Sequence, residues 1–419
     1  MLTSFAFSAG LMLSPNTLTV VGNLAGRIPA RFLFLLAAGA LCHIVTSRVY
    51  VAALRPEPGP FAGETGLIRH ALGPGHAIFF SFFPRLFMFL FLSTSVLVSA
   101  GYVFNEVFVI WFPNLGFSFC LLGFLLALNF VGKGAANLAQ VFFISVSLLG
   151  LLVLIIAGFA GMESVAKEAP QVPFPGWDWG YLFFSVVIFM GFELSLFSSA
   201  GRKQAVSFPR AMVSAVLGIG LLLGTWGLLS LAHVSPERLA ESTLPHAVAA
   251  RVIMGQSGRV VMGMVVLSGS CAAVNGLLAS VSRLLAAMAR DGLIPPALVQ
   301  VRGRPLIAPA LLGGGVFAMM GTGLAGYPIL EQLNIAGAWF WLGTYGAVHL
   351  AFQLTKRPVS ILRPLSLASL LLIGFTMASV FFFLEGPDTL KVVKILIALL
   401  ACSIGCTGII SRWKPDNKE

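Results

Sequence analysis

Residues 184–199 read FSVVIFMGFELSLFSS, an apolar run broken near its middle by Gly191 and the carboxylate of Glu193. A charged side chain inside a membrane segment costs about 3 kcal/mol or more to insert, so its presence asks for a partner or a task. Gly191 beside it tolerates backbone conformations that interrupt a helix. Residues 4–15 (SFAFSAGLMLSP) carry comparable punctuation, with Ser8-Ala9-Gly10 followed by Ser14-Pro15. The two interruptions lie about 183 residues apart, and Ser198-Ser199-Ala200-Gly201 marks a further break after Glu193. Paired interruptions at matching places in two halves of a chain mark helices that unwind near the bilayer midplane.

The composition supplies the solvent in which such helices sit. Of 419 residues, 58% are hydrophobic and 10% charged, with a mean hydropathy of +0.95. Soluble domains carry about 25% charged residues, so this chain is expected to live in lipid. The net charge of +11 would suggest nucleic acid in a soluble protein. In a membrane protein it reflects basic loops on the cytoplasmic side, and no nucleic-acid partner is expected. The cysteines (Cys42, Cys120, Cys271, Cys402, Cys406) all fall in apolar runs, which predicts free thiols packed among helices and no metal motif. The N-terminus has neither a basic n-region nor a small-residue cleavage site, so the first apolar stretch is expected to be a membrane span.

About 20 apolar residues cross the hydrocarbon core. That length predicts about twelve spans, near 3–26, 30–54, 75–104, 115–131, 134–160, 180–200, 209–233, 258–289, 306–325, 329–355, 361–384 and 391–411. Connections are short except 161–179 and 234–257, the latter expected to form a helix outside the membrane. With both termini inside, Lys and Arg favour the cytoplasmic side by about two to one, which predicts a multi-pass inner-membrane protein with cytoplasmic N- and C-termini. Spans two to five precede spans seven to ten by about 180–190 residues. A repeat of five helices must invert in its second copy. The expected fold is therefore an all-α integral membrane protein with a five-plus-five inverted repeat and discontinuous helices 1 and 6. Its expected parts are residues 1–160, residues 180–356 and two additional helices over 361–411.

Among residues that could carry chemistry, Glu193 stands alone deep in an apolar run, the other acids lying in loops or at span ends. It reads either as a protonatable coupling or gating group, or as an acceptor for backbone N–H groups freed where the helix unwinds. The first break offers backbone N–H groups at the start of a half-helix, suited to an anionic group, and Gly10 permits close approach. An ordinary Gly/Pro kink is the other reading. Arg48 and Arg85 lie in spans, where pairing or snorkelling explains them, and His43 and His349 read as packing or hydrogen-bonding residues. Trp339-Phe340-Trp341 reads as a gate, centred on Trp339, or as an interfacial anchor. Ser268 and Ser270 read as small residues at a helix contact or as oxygens for a cation. No phosphate-binding loop, H-E-x-x-H or nucleophile elbow is present, so neither an enzyme nor a cofactor is expected.

Several runs resemble one family, the amino acid–polyamine–organocation transporters. Residues Ser282 to Pro295 (SRLLAAMARDGLIP) match the run that ends the family's eighth helix. Gly191-Phe192-Glu193 is similar to its sixth-helix G-[FV]-E, Phe208-Pro209-Arg210-Ala211 to the start of the seventh, and Asn129-Phe130-Val131-Gly132 to the fourth-helix N-x-x-G. Asn334 through Tyr345 resembles the tenth helix. The chain departs from the family at Ser8-Ala9-Gly10-Leu11-Met12, where the usual G-[ST]-G-I-F is altered. It departs again at residues 201–209, which lack the usual acid, and at Pro84-Arg85 in the third helix. The resemblance implies a divergent amino acid permease, a secondary transporter that moves a small amino acid or related amine by alternating access. Proton, sodium or exchange coupling goes with it. It also implies that the substrate's negative group sits near Ala9, Gly10 and Leu11, and its amine near the carbonyls of Met190, Gly191 and Phe192. A transporter-like sensor that binds such a ligand without net transport is the alternative.

Overall fold

The computed structural model describes residues 1–53, 64–161, 179–197, 207–299, 306–324, 328–355, 361–383 and 387–412. Helices account for nearly all of them. The first pass is split into α1 (Leu2–Ala9) and α2 (Pro15–Arg27). Next come α3 (Phe32–Ala53), the short α4 (Glu64–Leu72), α5 (Pro74–Val107), α6 (Asn114–Val131) and α7 (Lys133–Ala160). The sixth pass is also split, into α8 (Gly180–Val187) and a 3₁₀ segment (Phe192–Phe197). After it come α9 (Ser207–His233), α10 (Pro236–Glu241), α11 (Pro245–Arg290), α12 (Ile307–Gly321), α13 (Ile329–Leu354), α14 (Leu362–Phe383) and α15 (Pro387–Ser411).

Eight helices among the described residues are long and apolar enough to cross a membrane: α3, α5, α6, α7, α9, α11, α14 and α15. The two split passes, the shorter α12 and the more polar α13 complete an architecture of about twelve passes. Long α11 packs most extensively on α7 and α5, and α13 packs on α5 and α14. Peripheral faces expose large apolar side chains such as Leu138, Ile156 and Leu221, as a lipid-facing surface requires. Cys120 and Cys402 share that surface rather than the interior, because they fall on the outward stripes of α6 and α15; Cys42 and Cys271 are buried.

Local chemistry explains the interruptions. Pro15 occupies the first turn of α2, where its missing N–H costs nothing, and Ser14 caps that helix through Oγ to the Thr17 N–H at 3.3 Å. In the sixth pass Gly191 has φ +86°, a left-handed value that a side chain strains against. A Cβ there would meet the Leu11 side chain at 3.1 Å, so the two breaks press directly on each other. Pro84 lies inside α5 and cannot donate to the carbonyl of Phe80. That oxygen is satisfied from α13 instead, by the Thr344 hydroxyl at 2.6 Å.

The structure adds one element to the sequence expectations and divides another. The link between the second and third spans contains α4, which packs on α5 and α13. The stretch 234–257 holds α10 and the first turns of α11, which bends at Gly255 (φ 61°, ψ −138°) before the eighth pass proper. The expected break at Ser198-Ser199-Ala200-Gly201, most of the link 161–179 and residues 201–206 of the run after the sixth span lie outside the described residues.

Candidate functional site

The two helix breaks meet at the floor of a cavity of about 620 Å³. Leu11 from the first break and Ile188 and Met190 from the sixth form that floor. Asn16, Thr17 and Ser14 of the first pass, Ser95 and Ser99 of α5, and Asn334 of α13 line its depth with neutral polar groups. Charge appears only at its outer end, where Arg27, Glu241 and Glu331 are exposed. The cavity thus extends from the breaks toward α10 and the C-terminal end of α2.

Toward the opposite end, around α1, the molecule is packed shut. The Ser8 hydroxyl donates to Phe192 O at 2.5 Å, tying the two breaks together. Gln140 of α7 donates to Ala6 O at 3.1 Å, and Asn275 of α11 donates to Gln140 Oε1 at 2.8 Å. The Arg283 guanidinium lies over the Phe7 ring at 5.3 Å.

Unwinding leaves backbone groups at the floor. Within the first break Leu13 N–H donates to Ala9 O and Ser14 N–H to Leu11 O, while the amides of Leu11 and Met12 meet no protein acceptor among the described residues. In the sixth break Gly191 O accepts from Leu194 N–H and Phe192 O from Ser8, while Met190 O has no donor among them. Of the residues expected at the substrate, Leu11 and Met190 line the cavity. Ala9, Gly10, Gly191 and Phe192 sit behind them and are not among its lining residues. A Cβ on Gly10 would meet Gln140 Nε2 at 2.7 Å, so glycine is needed there for packing against α7.

Glu193 does not face the cavity. It lies beyond Gly191, fully buried, in a polar cluster drawn from five elements. Its Oε1 accepts from Trp341 Nε1 at 2.8 Å and from Arg85 at 3.2 Å; its Oε2 accepts from the Tyr345 hydroxyl at 2.7 Å. Arg85 is held more closely by Glu64, with contacts of 2.5 and 2.7 Å. Tyr50 donates to the same carboxylate at 2.6 Å. Arg85 also lies over the Trp341 ring at 5.3 Å and donates to Ser81 O at 3.1 Å. The Gly191 N–H donates to the Tyr345 hydroxyl at 3.2 Å, linking the cluster to the break.

Glu193 is therefore not solitary, as the sequence suggested. Glu64 is 2% exposed, because α4 folds back between α5 and α13 and carries this acid to Arg85. A guanidinium amid the apolar run of α5 was the one signal that a counter-charge must arrive from elsewhere. Between pairing and snorkelling, Arg85 pairs; Arg48 is exposed on α3. Trp339 points away from both cavity and cluster, its indole donating to Met377 O of α14 at 3.0 Å. Trp341, two positions on, faces the opposite side of the helix and meets Glu193. His43 and His349 make structural hydrogen bonds, His43 with Gly39 O at 2.8 Å and His349 with Thr46 and Ser366 at 3.0 and 2.9 Å. Ser268 bonds Ser147 across a helix contact at 2.8 Å, and Ser270 bonds Val266 O within α11.

The fold has counterparts among known proteins. The Amino acid permease family matches residues 1–403. No curated protein matches the sequence. Among solved structures, a manganese transporter of Eremococcus coleocola in complex with an aromatic bis-isothiourea substituted compound superposes with a TM-score of 0.58 at 13% identity, covering 98% of this chain and 94% of the other. Mhp1, a nucleobase-cation-symport-1 family transporter in a closed conformation with bromovinylhydantoin bound, superposes with a TM-score of 0.56 at 16% identity, covering 99% and 93%. At such identities the likeness shows the fold alone, and the fold is that of these transporters. With the family match over nearly its whole length, the chain belongs to the amino acid permeases of the amino acid–polyamine–organocation superfamily and is a multi-pass membrane transporter.

Proposed function

We propose that this transporter moves a small amino acid or a related amine across the cytoplasmic membrane by alternating access. The observation that carries the reading is the floor of the cavity. There, two unwound segments offer an amide N–H on one side, at Leu11, and a carbonyl on the other, at Met190, neither with a hydrogen-bond partner among the described residues. An unpartnered amide in the break suits a carboxylate, because a backbone N–H donates readily to a negative oxygen. A carbonyl suits an ammonium. Neutral polar groups fill the rest of the depth, which fits a ligand whose own charges balance. The volume lies within the range of small-molecule sites, about 300–1,000 Å³.

With both termini in the cytoplasm, as the basic residues favour, the cavity opens to the far side and the packed α1 end is the closed inner gate. Substrate then reaches the breaks from outside, and closing over it would accompany release of α1 from Gln140 and Arg283. Counterflow in proteoliposomes tests the reading, using each labelled standard amino acid and a panel of simple amines. Accumulation of at least one substrate is expected. A Trp in place of Ala338, a cavity-lining residue on α13, should reduce that uptake about tenfold or more while leaving the protein monodisperse. Absence of counterflow across the panel would refute it, and ligand binding without counterflow would favour a sensor instead.

A further inference from the structure

Two carboxylates share one guanidinium beneath the cavity floor, and no other positive side chain among the described residues makes an ion pair with them. With all three groups ionised the cluster carries one surplus negative charge in a site closed to solvent. A buried charge of that kind is costly unless it is neutralised. Arg85 gives Glu64 two close contacts and Glu193 one at 3.2 Å, so its charge is committed to Glu64. Glu193 is the carboxylate left partly uncompensated. We propose that Glu64, Arg85 and Glu193 form a one-proton site, with the exchangeable proton on Glu193.

The hydrogen bonds select the oxygen that takes the proton. Oε1 of Glu193 already accepts from Trp341 and Arg85, both of which can only donate. Oε2 faces the Tyr345 hydroxyl, the one partner able to reverse its role. A proton on Oε2 donates to the Tyr345 oxygen, and the tyrosine hydrogen turns away. That oxygen now receives from Glu193 while Gly191 N–H and Trp341 Nε1 also point at it, at 3.2 and 3.0 Å. Trp341 has a single N–H, and its shorter contact is to Oε1 of Glu193 at 2.8 Å, so the Glu193 proton and the Gly191 amide fill the two lone pairs of the Tyr345 oxygen. Gly191 is the break residue pressed on Leu11, so the proton on Glu193 lies one hydrogen-bonded oxygen away from the sixth-pass break at the cavity floor. No bond other than O–H is made or broken; the proton comes from water and returns to it.

Around Glu193 the titratable groups are Arg85 of α5, Glu64 of α4, Tyr50 and His43 of α3, and Tyr345 of α13, with His349 further along α13. His43 gives its Nδ1 to Gly39 O and stands edge-on to Tyr345 at 5.5 Å. Neighbouring α1 and α11 present Ser8 and Ser280 to the 3₁₀ segment. On α9, His233 is engaged with Gly158 O and Arg210 is exposed.

This inference deepens the transport reading by naming the ion taken up beside the break, yet its test needs no substrate. Infrared difference spectra of the protein in lipid nanodiscs, recorded as pH is stepped down, report each newly protonated carboxyl by its C=O stretch, and the band read is the high-frequency one of a carboxyl buried away from water, distinct from that of the exposed acids. A proton on a histidine gives no such band. The wild type should show the band, and both Glu193→Gln and Glu64→Gln should lose it, since either change removes the surplus charge. Tyr345→Phe keeps both carboxylates but removes the acceptor, and should shift the band. A wild type without the band while still folded and monodisperse overturns the site, as does a band that survives in either Gln variant or stays unmoved in Tyr345→Phe. Failure of the counterflow experiment would leave this titration intact, and the reverse also holds.

Discussion

Removing the guanidinium of Arg85 would strand the buried carboxylates of Glu64 and Glu193 without their counter-charge. Breaking a buried ion pair from one side costs about 3–5 kcal/mol. Arg85→Met is accordingly expected to lower thermal stability in detergent by that order, and a melting temperature equal to wild type would show that the cluster is not structural. Lysine should restore only part of the loss, because a point charge cannot reproduce the two close contacts to Glu64. At this scale the sequence was half legible. Glu193 and Arg85 announced themselves as charges in apolar runs, but the bond between them could not be read. They lie 108 residues apart, and Glu64, which holds Arg85 more closely, sits in a link that showed no span-like pattern.

At the scale of the element, the breaks depend on residues that only a few side chains could replace. Gly191→Ala would place a Cβ at φ +86° and 3.1 Å from Leu11. A strained backbone position of this kind costs about 1–3 kcal/mol. The variant should melt lower and transport more slowly, and an unchanged melting curve would argue that the sixth pass can unwind elsewhere. Thr344→Val tests a different dependence. It leaves the Phe80 carbonyl, freed by Pro84, without its donor from α13. An unsatisfied buried acceptor costs about 1–3 kcal/mol. Pro84→Ala in the same background should recover part of that loss by restoring the helical N–H, as a double-mutant cycle would report. Gly, Ser and Pro punctuation made both breaks visible in the sequence, since the backbone conformations they permit are local properties. The short α4 was not visible, because nine residues of mixed polarity become a helix only by packing on α5 and α13.

For the whole molecule, the asymmetry between an open cavity and a packed α1 end makes a claim about access. In a background without native cysteines, Asn16→Cys and Ser99→Cys should react with an impermeant thiol reagent added on the side opposite the termini. Ser8→Cys, behind the floor, should react from neither side until substrate drives the transition. Labelling of Ser8→Cys at rest, from the terminal side, would place the resting state facing inward. The number and order of the passes, the inverted five-helix repeat and the two discontinuous helices were all contained in the sequence. They arise from apolar length, loop charge and punctuation, each set by residues close together in the chain. The surroundings of Gly191 on either side were not contained there. A cavity of neutral groups above it and a charged cluster below it arise because α4, α5 and α13 converge on the sixth pass. Which buried charges find partners is a matter of three-dimensional distance, and the chain order of Glu64, Arg85, Glu193 and Tyr345 carries no record of it.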